Sequence, residues 1–394
     1  MRNHLAVLIV LGTRPEAIKL FPLINRLRGD RRFVIRVCHS GQHSTLADPI
    51  LQLTGVTVDH ACAAMAPGQS LDQLTVAAMM AIGEACDRAR PDWVIVQGDT
   101  TTALVGALAA HYRKIPVLHV EAGLRSGDNH HPWPEEANRR MISALASRHC
   151  APTQSAAEAL TREGVAPGTV SVTGNTGIDA LRWMAAELER QPHLAQRMPA
   201  LEQRFAGKHI VALTLHRREN IGSGIASVVA AVKQLAQRAD VAFICPCHPN
   251  PLVHDVLREH LEGLPNVALV EPLGYPDFIR LLAAAHIVLT DSGGVQEEAP
   301  SFGTPVLVLR HTTERAEGVA AGTARLIGTD PQRIVDEVSL LLDDRDAHAA
   351  MARAGNPYGD GRESERIVTW MADNALVAGR RPREFEGVTL TPGG

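Results

Sequence analysis

The feature that most restricts the fold is an alternation of short apolar runs with helical patterns, repeated along most of the chain. Residues 5–11 (LAVLIVL) are apolar throughout. A strand of that kind is buried on both faces, as in a parallel sheet covered by helices. The run breaks at Gly12-Thr13. Thr13 is placed to cap a helix, with Pro15 in its first turn and Glu16 close behind. Ile18, Phe21, Ile24 and Leu27 then recur every three residues, as one apolar helix face would. Further strands are expected at 34–38, 93–97, 116–120 and 170–173, with helices such as 101–112 and 135–146 between or after them. The alternation restarts with strands at 209–215, 241–245, 267–270, 287–291 and 306–310. Helices near 225–238, 252–262, 276–285 and 295–302 separate these. The class is therefore α/β, with two doubly wound halves meeting near Gly174-Asn175.

Length agrees, because 394 residues exceed what one ordinary core organises. A chain that is 45% hydrophobic and 21% charged is neither disordered nor fibrous. With aromatics at only 4%, the core must be mostly Ala, Val, Leu and Ile. The net charge of -4 argues against a protein built to grip a nucleic-acid backbone, although a local anion site stays compatible with it. The six cysteines show no paired spacing. Cys245-Pro246-Cys247-His248 has no second cluster to complete a metal cage, so buried thiols beside a strand end are expected, and no metal. The N-terminal run lacks a cleavage site, and no stretch approaches the ~20 apolar residues that span a bilayer. These readings make the protein soluble and cytoplasmic, without membrane contact.

Ligands of open parallel sheets bind outside the carboxyl ends of the strands, and charged and small residues gather there in both halves. Gly98-Asp99, Glu121-Ala122-Gly123, His216-Arg217, Asp291-Ser292-Gly293-Gly294 and Arg310 to Arg315 all follow strands. Ser292-Gly293-Gly294 suits either close approach of backbone N–H groups to a phosphate or tight packing. No P-loop or GxGxxG fingerprint is present. His216, Arg217 and Arg315 would instead neutralise a diphosphate. Asp99, Glu121 and Glu135 form a second group. Neighbouring carboxylates differ in proton affinity and suit proton transfer; for Glu135 a first-turn acid stabilising its helix is the competing reading.

Several motifs then carry a family resemblance. GTRPEAIKLFPLI (12–24), GDTTT (98–102), HVEAGLRSGD (119–128), PWPEEANR (132–139), TGNTGIDAL (173–181), HRREN (216–220), DSGGVQEEAP (291–300), TTER (312–315) and NPYGDG (356–361) stand in order over about 1–377. They resemble the non-hydrolysing UDP-N-acetylglucosamine 2-epimerases. The resemblance implies two Rossmann-like domains in a glycosyltransferase-B arrangement, with a UDP-sugar in the interdomain cleft, no cofactor and a homodimer. The domains would be 1–174 and 175–361, with helix 362–378 packing back on the first and 379–394 a loose tail.

The resemblance further assigns substrate binding to Arg14, Lys19, Asp99, Glu121, His216, Phe278, Ser292, Gly293, Gly294, Glu298 and Arg315. Asp99, Glu121 and Glu135 would transfer protons, and His216 would support the diphosphate or act as an acid. Ser292 to Gly294 would cradle phosphate, Glu298 would hold ribose, and Arg14 and Arg315 would position the nucleotide. The implied reaction removes the C2 proton and expels UDP to give 2-acetamidoglucal, then re-adds both to give UDP-N-acetylmannosamine for surface polysaccharide. Gln42-His43 matches a pair that in bacterial relatives lies near a second, activating UDP-N-acetylglucosamine, but Ser44-Thr45 follows where many have larger polar residues. Leu273 stands where some relatives set Gln against uracil, and His311 replaces the Asp that often precedes TTER. The alternatives weighed are epimerisation of a UDP-diacetamido sugar, a UDP-sugar glycosyltransferase on the same fold, a hydrolysing relative, and an inactive UDP-sugar sensor. Retention of the three carboxylates opposes the last.

Overall fold

A computed structural model describes residues 4–42, 44–62, 68–217 and 220–375. The chain divides into two units, one holding residues up to Thr176 and again from Arg362 onward, the other Gly177–Gly361. In the first, β1 (Leu5–Leu11), β2 (Phe33–His39), β3 (His60–Ala61), β4 (Trp93–Gln97), β5 (Val117–Val120), β6 (Arg148–Ala151) and β7 (Val170–Val172) form one sheet. All its pairs are parallel, in the order β3-β2-β1-β4-β5-β6-β7. In the second unit, β8 (His209–Thr214), β9 (Val241–Pro246), β10 (Val267–Val270), β11 (Ile287–Thr290), β12 (Val306–Val308) and β13 (Ala324–Leu326) follow the order β10-β9-β8-β11-β12-β13, again parallel.

Each sheet thus winds outward from its first strand, returns, and winds outward the other way. The reversal falls between β1 and β4 in one unit and between β8 and β11 in the other. At such a switch point the two following loops diverge to opposite faces and leave a crevice at the strand ends. The topology therefore singles out the loops after Leu11, Gln97, Thr214 and Thr290.

The all-apolar β1 is buried on both faces. Leu8 and Val10 join a cluster with Val94, Val96 and the helices Leu71–Ala89 and Thr101–Tyr112, while Val7, Ile9 and Leu11 are equally enclosed on the other side. A core poor in aromatics fills by close approach instead. Gly106 lies so near the sheet that a Cβ there would come within 3.0 Å of Val96 and 3.2 Å of Val10. Overpacking of that kind costs about 1–3 kcal/mol.

Three strands escaped the sequence reading. β3 is only two residues long, β6 (RHCA) does not look apolar, and β13 follows a short helix. The helix Leu71–Ala89 escaped too, for a physical reason. Leu74, Ala78, Ile82 and Ala85 form its buried stripe, but Val76 and Met80 are exposed and blur the period. After Gly361 the helix Glu363–Trp370, extended by a wider turn Met371–Ala375, belongs to the first unit. Trp370 meets Trp93 edge-on at 6.3 Å, and Arg366 donates to the Thr173 carbonyl at 3.1 Å. Gly174, at φ +90°, has no room for a side chain because Glu363 lies against it. Residues 376–378 and the tail 379–394 lie outside the described residues.

Candidate active site

At the β1/β4 reversal, Thr13 and Glu16 form a capping box for the helix Arg14–Arg28. Glu16 is fully buried, and its carboxylate accepts from the Gly12 and Thr13 amides at 2.9 and 2.7 Å and from the Thr13 and Thr100 hydroxyls at 2.8 and 2.6 Å. Burial pushes this carboxyl up, and the four hydrogen bonds pull against that. One side chain thereby ties the loop bearing Arg14 to the loop bearing Asp99. Gly12 is required by packing rather than by a ligand, since any Cβ would collide with the Ser40 and Thr102 hydroxyls, themselves bonded at 2.8 Å. Thr102 also donates to Gln42 at 2.7 Å.

The carboxylates come next. Asp99 and Glu121 follow adjacent strands, β4 and β5, whose ends are joined by a bond from Gly98 N to Val120 O. Glu121 is nearly buried and takes up φ +61°, an uncommon strain for a residue with a side chain that is concentrated at functional sites. Its oxygens receive Lys19 Nζ at 2.6 and 2.7 Å and Gln97 Nε2 at 2.5 Å. Asp99 pairs with Arg139 at 2.8 Å, and its main-chain carbonyl accepts from Asn138 at 2.8 Å. Arg139 and Asn138 lie on the helix Glu135–Leu145, whose first residue is the half-buried Glu135. Glu136 is wholly buried and bonded to Arg139 and the Ser126 amide, a bracing role. His119, also buried, donates from Nε2 to the Gly98 carbonyl at 2.7 Å. Burial pushes that imidazole down to about 3, so it stays neutral while holding the Asp99 loop.

In the second unit, β8 and β11 are pinned side by side by the Thr214 and Thr290 hydroxyls at 2.6 Å. Beyond them His216 Nδ1 lies 3.0 Å from the fully buried Asp291. Burial alone would raise the Asp291 carboxyl, but hydrogen bonds from His216, the Arg217 amide and Asn220 outweigh it and hold the group below the usual range. Ser292 occupies the cap position of the helix Gly293–Glu298 without spending its hydroxyl on a cap bond. Gly293 is closely approached by the Arg315 guanidinium, a Cβ there coming within 3.0 Å of Arg315 Cζ, whereas Gly294 opens onto free space. Arg315 is held by Glu297 at 2.8 Å and Glu314 at 3.2 Å. Burial would raise the Glu314 carboxyl too, yet Arg315 and Arg310 bring it to about 2.

The structure therefore gathers Arg14, Lys19, Asp99, Glu121 and Glu135 around one switch point, and His216, Ser292, Gly293, Gly294 and Arg315 around the other. Glu298 ends the short helix, half-buried. Phe278 stands apart, on the helix Tyr275–Ala284 that follows the edge strand β10, half-buried against the apolar cluster containing Val295. The sequence reading gave no role to Gln97, Arg139, Asp291 or Glu297, although Asp291 was noted at its strand end. Gln97 had a signal, a polar residue closing a buried apolar strand. Asn356 and Tyr358 of NPYGDG brace the site: Asn356 donates to the Glu297 carbonyl at 2.9 Å, and Tyr358 to that of Arg315 at 3.1 Å.

Known proteins resemble this chain over most of its length. The family described as UDP-N-acetylglucosamine 2-epimerase matches residues 25–372. The chain belongs to the UDP-N-acetylglucosamine 2-epimerase family. The epimerase of Escherichia coli is 44% identical over 375 residues, 94% of this chain and 99% of that protein. That of Salmonella typhimurium is 45% identical over 367 residues, 92% and 97% of the two chains. A crystal structure of the Neisseria meningitidis enzyme bound to UDP-N-acetylglucosamine superposes with a TM-score of 0.86 at 41% identity, covering 94% of this chain and 100% of that one.

Within the family frame, three departures acquire a setting. Leu273 is buried in the core of the second unit, and the His311 ring lies against Gly328. Gln42 is bonded to Thr102, while His43 lies outside the described residues. Cys245 and Cys247 are buried, and the Cys247 thiol donates to the Cys245 carbonyl at 3.6 Å. Among the described residues no three His, Cys, Asp or Glu side chains are grouped to hold a metal ion, and no helix is long and apolar enough to cross a membrane.

Proposed function

We propose that this epimerase interconverts UDP-N-acetylglucosamine and UDP-N-acetylmannosamine by eliminating UDP and adding it back, with the two units dividing the work. The observation that carries the reading is that one unit has a switch point lined by carboxylates and the other unit a switch point lined by cations and small residues. The C2 proton is only weakly acidic. Its removal calls for a fixed base on one face, a second group that returns a proton on the other, and a well-stabilised leaving diphosphate. Asp99, Glu121 and Glu135 supply the proton-transfer groups. His216, Arg315, Ser292 and the Gly293-Gly294 amides receive the diphosphate, with Glu298 on the ribose. Arg14 steadies the nucleotide, and Lys19 balances the charge of Glu121. The enzyme would work in the cytoplasm, and its product would feed surface polysaccharide synthesis.

The test is direct. Incubated with UDP-N-acetylglucosamine in deuterated water, the protein should form the manno epimer with deuterium at C2. Folded protein that binds UDP yet exchanges no C2 proton would overturn the epimerase reading.

The active form is a homodimer. Exposed apolar side chains on three neighbouring helices support this face as the contact: Val76 and Met80 at 65% and 73% exposure, Tyr112 at 68% and Met141 at 46%. Exposed apolar residues on adjoining helices offer a surface that a second chain can cover. Met80→Glu is expected to halve the particle mass measured by light scattering. A dimer that persists in that variant would remove this face from the interface.

A further inference from the structure

We infer that Asp291 is a positioning residue for His216, dictating which imidazole nitrogen the ring presents to the diphosphate; this rests on the epimerase reading above. Asp291 is wholly buried at the β8/β11 reversal. Its Oδ1 accepts from the His216 amide at 3.0 Å and lies 3.0 Å from His216 Nδ1. Its Oδ2 accepts from the Arg217 amide and from Asn220 Nδ2, each at 3.0 Å, and Asn220 reaches on to the Leu309 carbonyl at 3.2 Å. This network fixes the carboxylate in place from two strands.

An ionised carboxylate can only accept hydrogen bonds. A carboxylate oxygen 3.0 Å from Nδ1 favours a proton on that nitrogen, which leaves Nε2 for the ligand on a side chain that is 37% exposed. A neutral ring then presents a lone pair at Nε2. Once Nε2 takes a proton, it becomes a donor with Asp291 offsetting the charge behind it. As the C1–O bond breaks, its electron pair goes to the diphosphate oxygen, and the Nε2 proton bonds or passes to that group. When UDP returns to C1 the same proton comes back to Nε2, so the cycle balances. The logic is that of an orienting acid behind a catalytic imidazole.

Because Asp291 also braces the loop main chain, loss of activity alone would not separate the two roles. The nitrogen spectrum of histidine-labelled protein does, with the His216 signals assigned by their absence in His216→Gln. At a pH where the ring is neutral, the native protein should show the Nδ1–H tautomer at His216. Asp291→Asn, whose amide can donate to Nδ1, should invert it to Nε2–H. In that variant kcat should fall roughly 30- to 300-fold, while the Kd for UDP rises less than about fivefold, the pattern of a group presented wrongly rather than removed. A native His216 in the Nε2–H form would overturn the inference. So would an inverted tautomer with unchanged kcat. If Asp291→Asn does not fold, the native spectrum still decides. Failure of the native protein to exchange C2 would overturn the epimerase reading instead, and leaves the tautomer result independent of it.

Discussion

Asp99→Asn and Glu121→Gln are each expected to lower epimerisation by about 10²- to 10⁴-fold, the range for removing a positioned acid or base, with UDP binding retained. Each replacement keeps the shape of the side chain and removes its capacity to take a proton. The surroundings predict different structural costs. Asp99 leaves behind Arg139, which is still held by Glu136 at 2.9 Å, so its variant should melt close to the native protein. Glu121 leaves behind the Lys19 ammonium, a side chain 20% exposed against a nearly buried partner. Breaking a partly buried pair from one side leaves an uncompensated charge and costs roughly 1–3 kcal/mol.

Exchange in deuterated water, begun separately from each epimer, divides the work between the two residues. The C2 protons of the two epimers lie on opposite faces, so a group that serves one face is needed to deprotonate one epimer only. A variant that has lost it should still wash deuterium into the other epimer while interconversion stops. Unchanged rates from both starting epimers would remove that residue from proton transfer.

Much of this was legible in the sequence, because strands buried on both faces and capped helix starts leave strong local marks. The run 5–11, the Thr13–Glu16 cap and the position of charged residues after strands all lead to the two switch points. What stayed hidden depends on neighbours distant in sequence. Nothing local tells that Arg139 reaches Asp99 across 40 residues, or that Asp291 stands behind His216 across 75. Phe278 and Glu298 entered through resemblance, and no pattern of their own would have raised them. Leu273 reads as an ordinary apolar position and is one, buried in its core. The helix Leu71–Ala89 was obscured by Val76 and Met80, apolar residues on its exposed side that break the helical period.

Gly123→Ala should cost about 3 kcal/mol or more and lower Tm by roughly 6–12 °C for a unit of this size. Two effects combine at this residue. Its φ of +93° is a conformation that L side chains rarely adopt, and a Cβ built there would collide with the Ala156 carbonyl oxygen and approach Leu160 within 3.0 Å. The first costs about 1–2 kcal/mol. The second is contact with helix backbone, in Gln154–Arg162, and cannot be relieved by turning a side chain. Relief must come from moving the turn Glu121-Ala122-Gly123 itself, in which Glu121 already sits at φ +61°. Activity should therefore fall further than the folded fraction does, because the displaced carboxylate loses its register with Lys19 and Gln97. Differential scanning calorimetry beside turnover at a temperature where the variant is fully folded separates the two losses. A variant that melts with the native protein would show that the turn accepts a side chain, and that the close fit to the helix does not hold Glu121 in place.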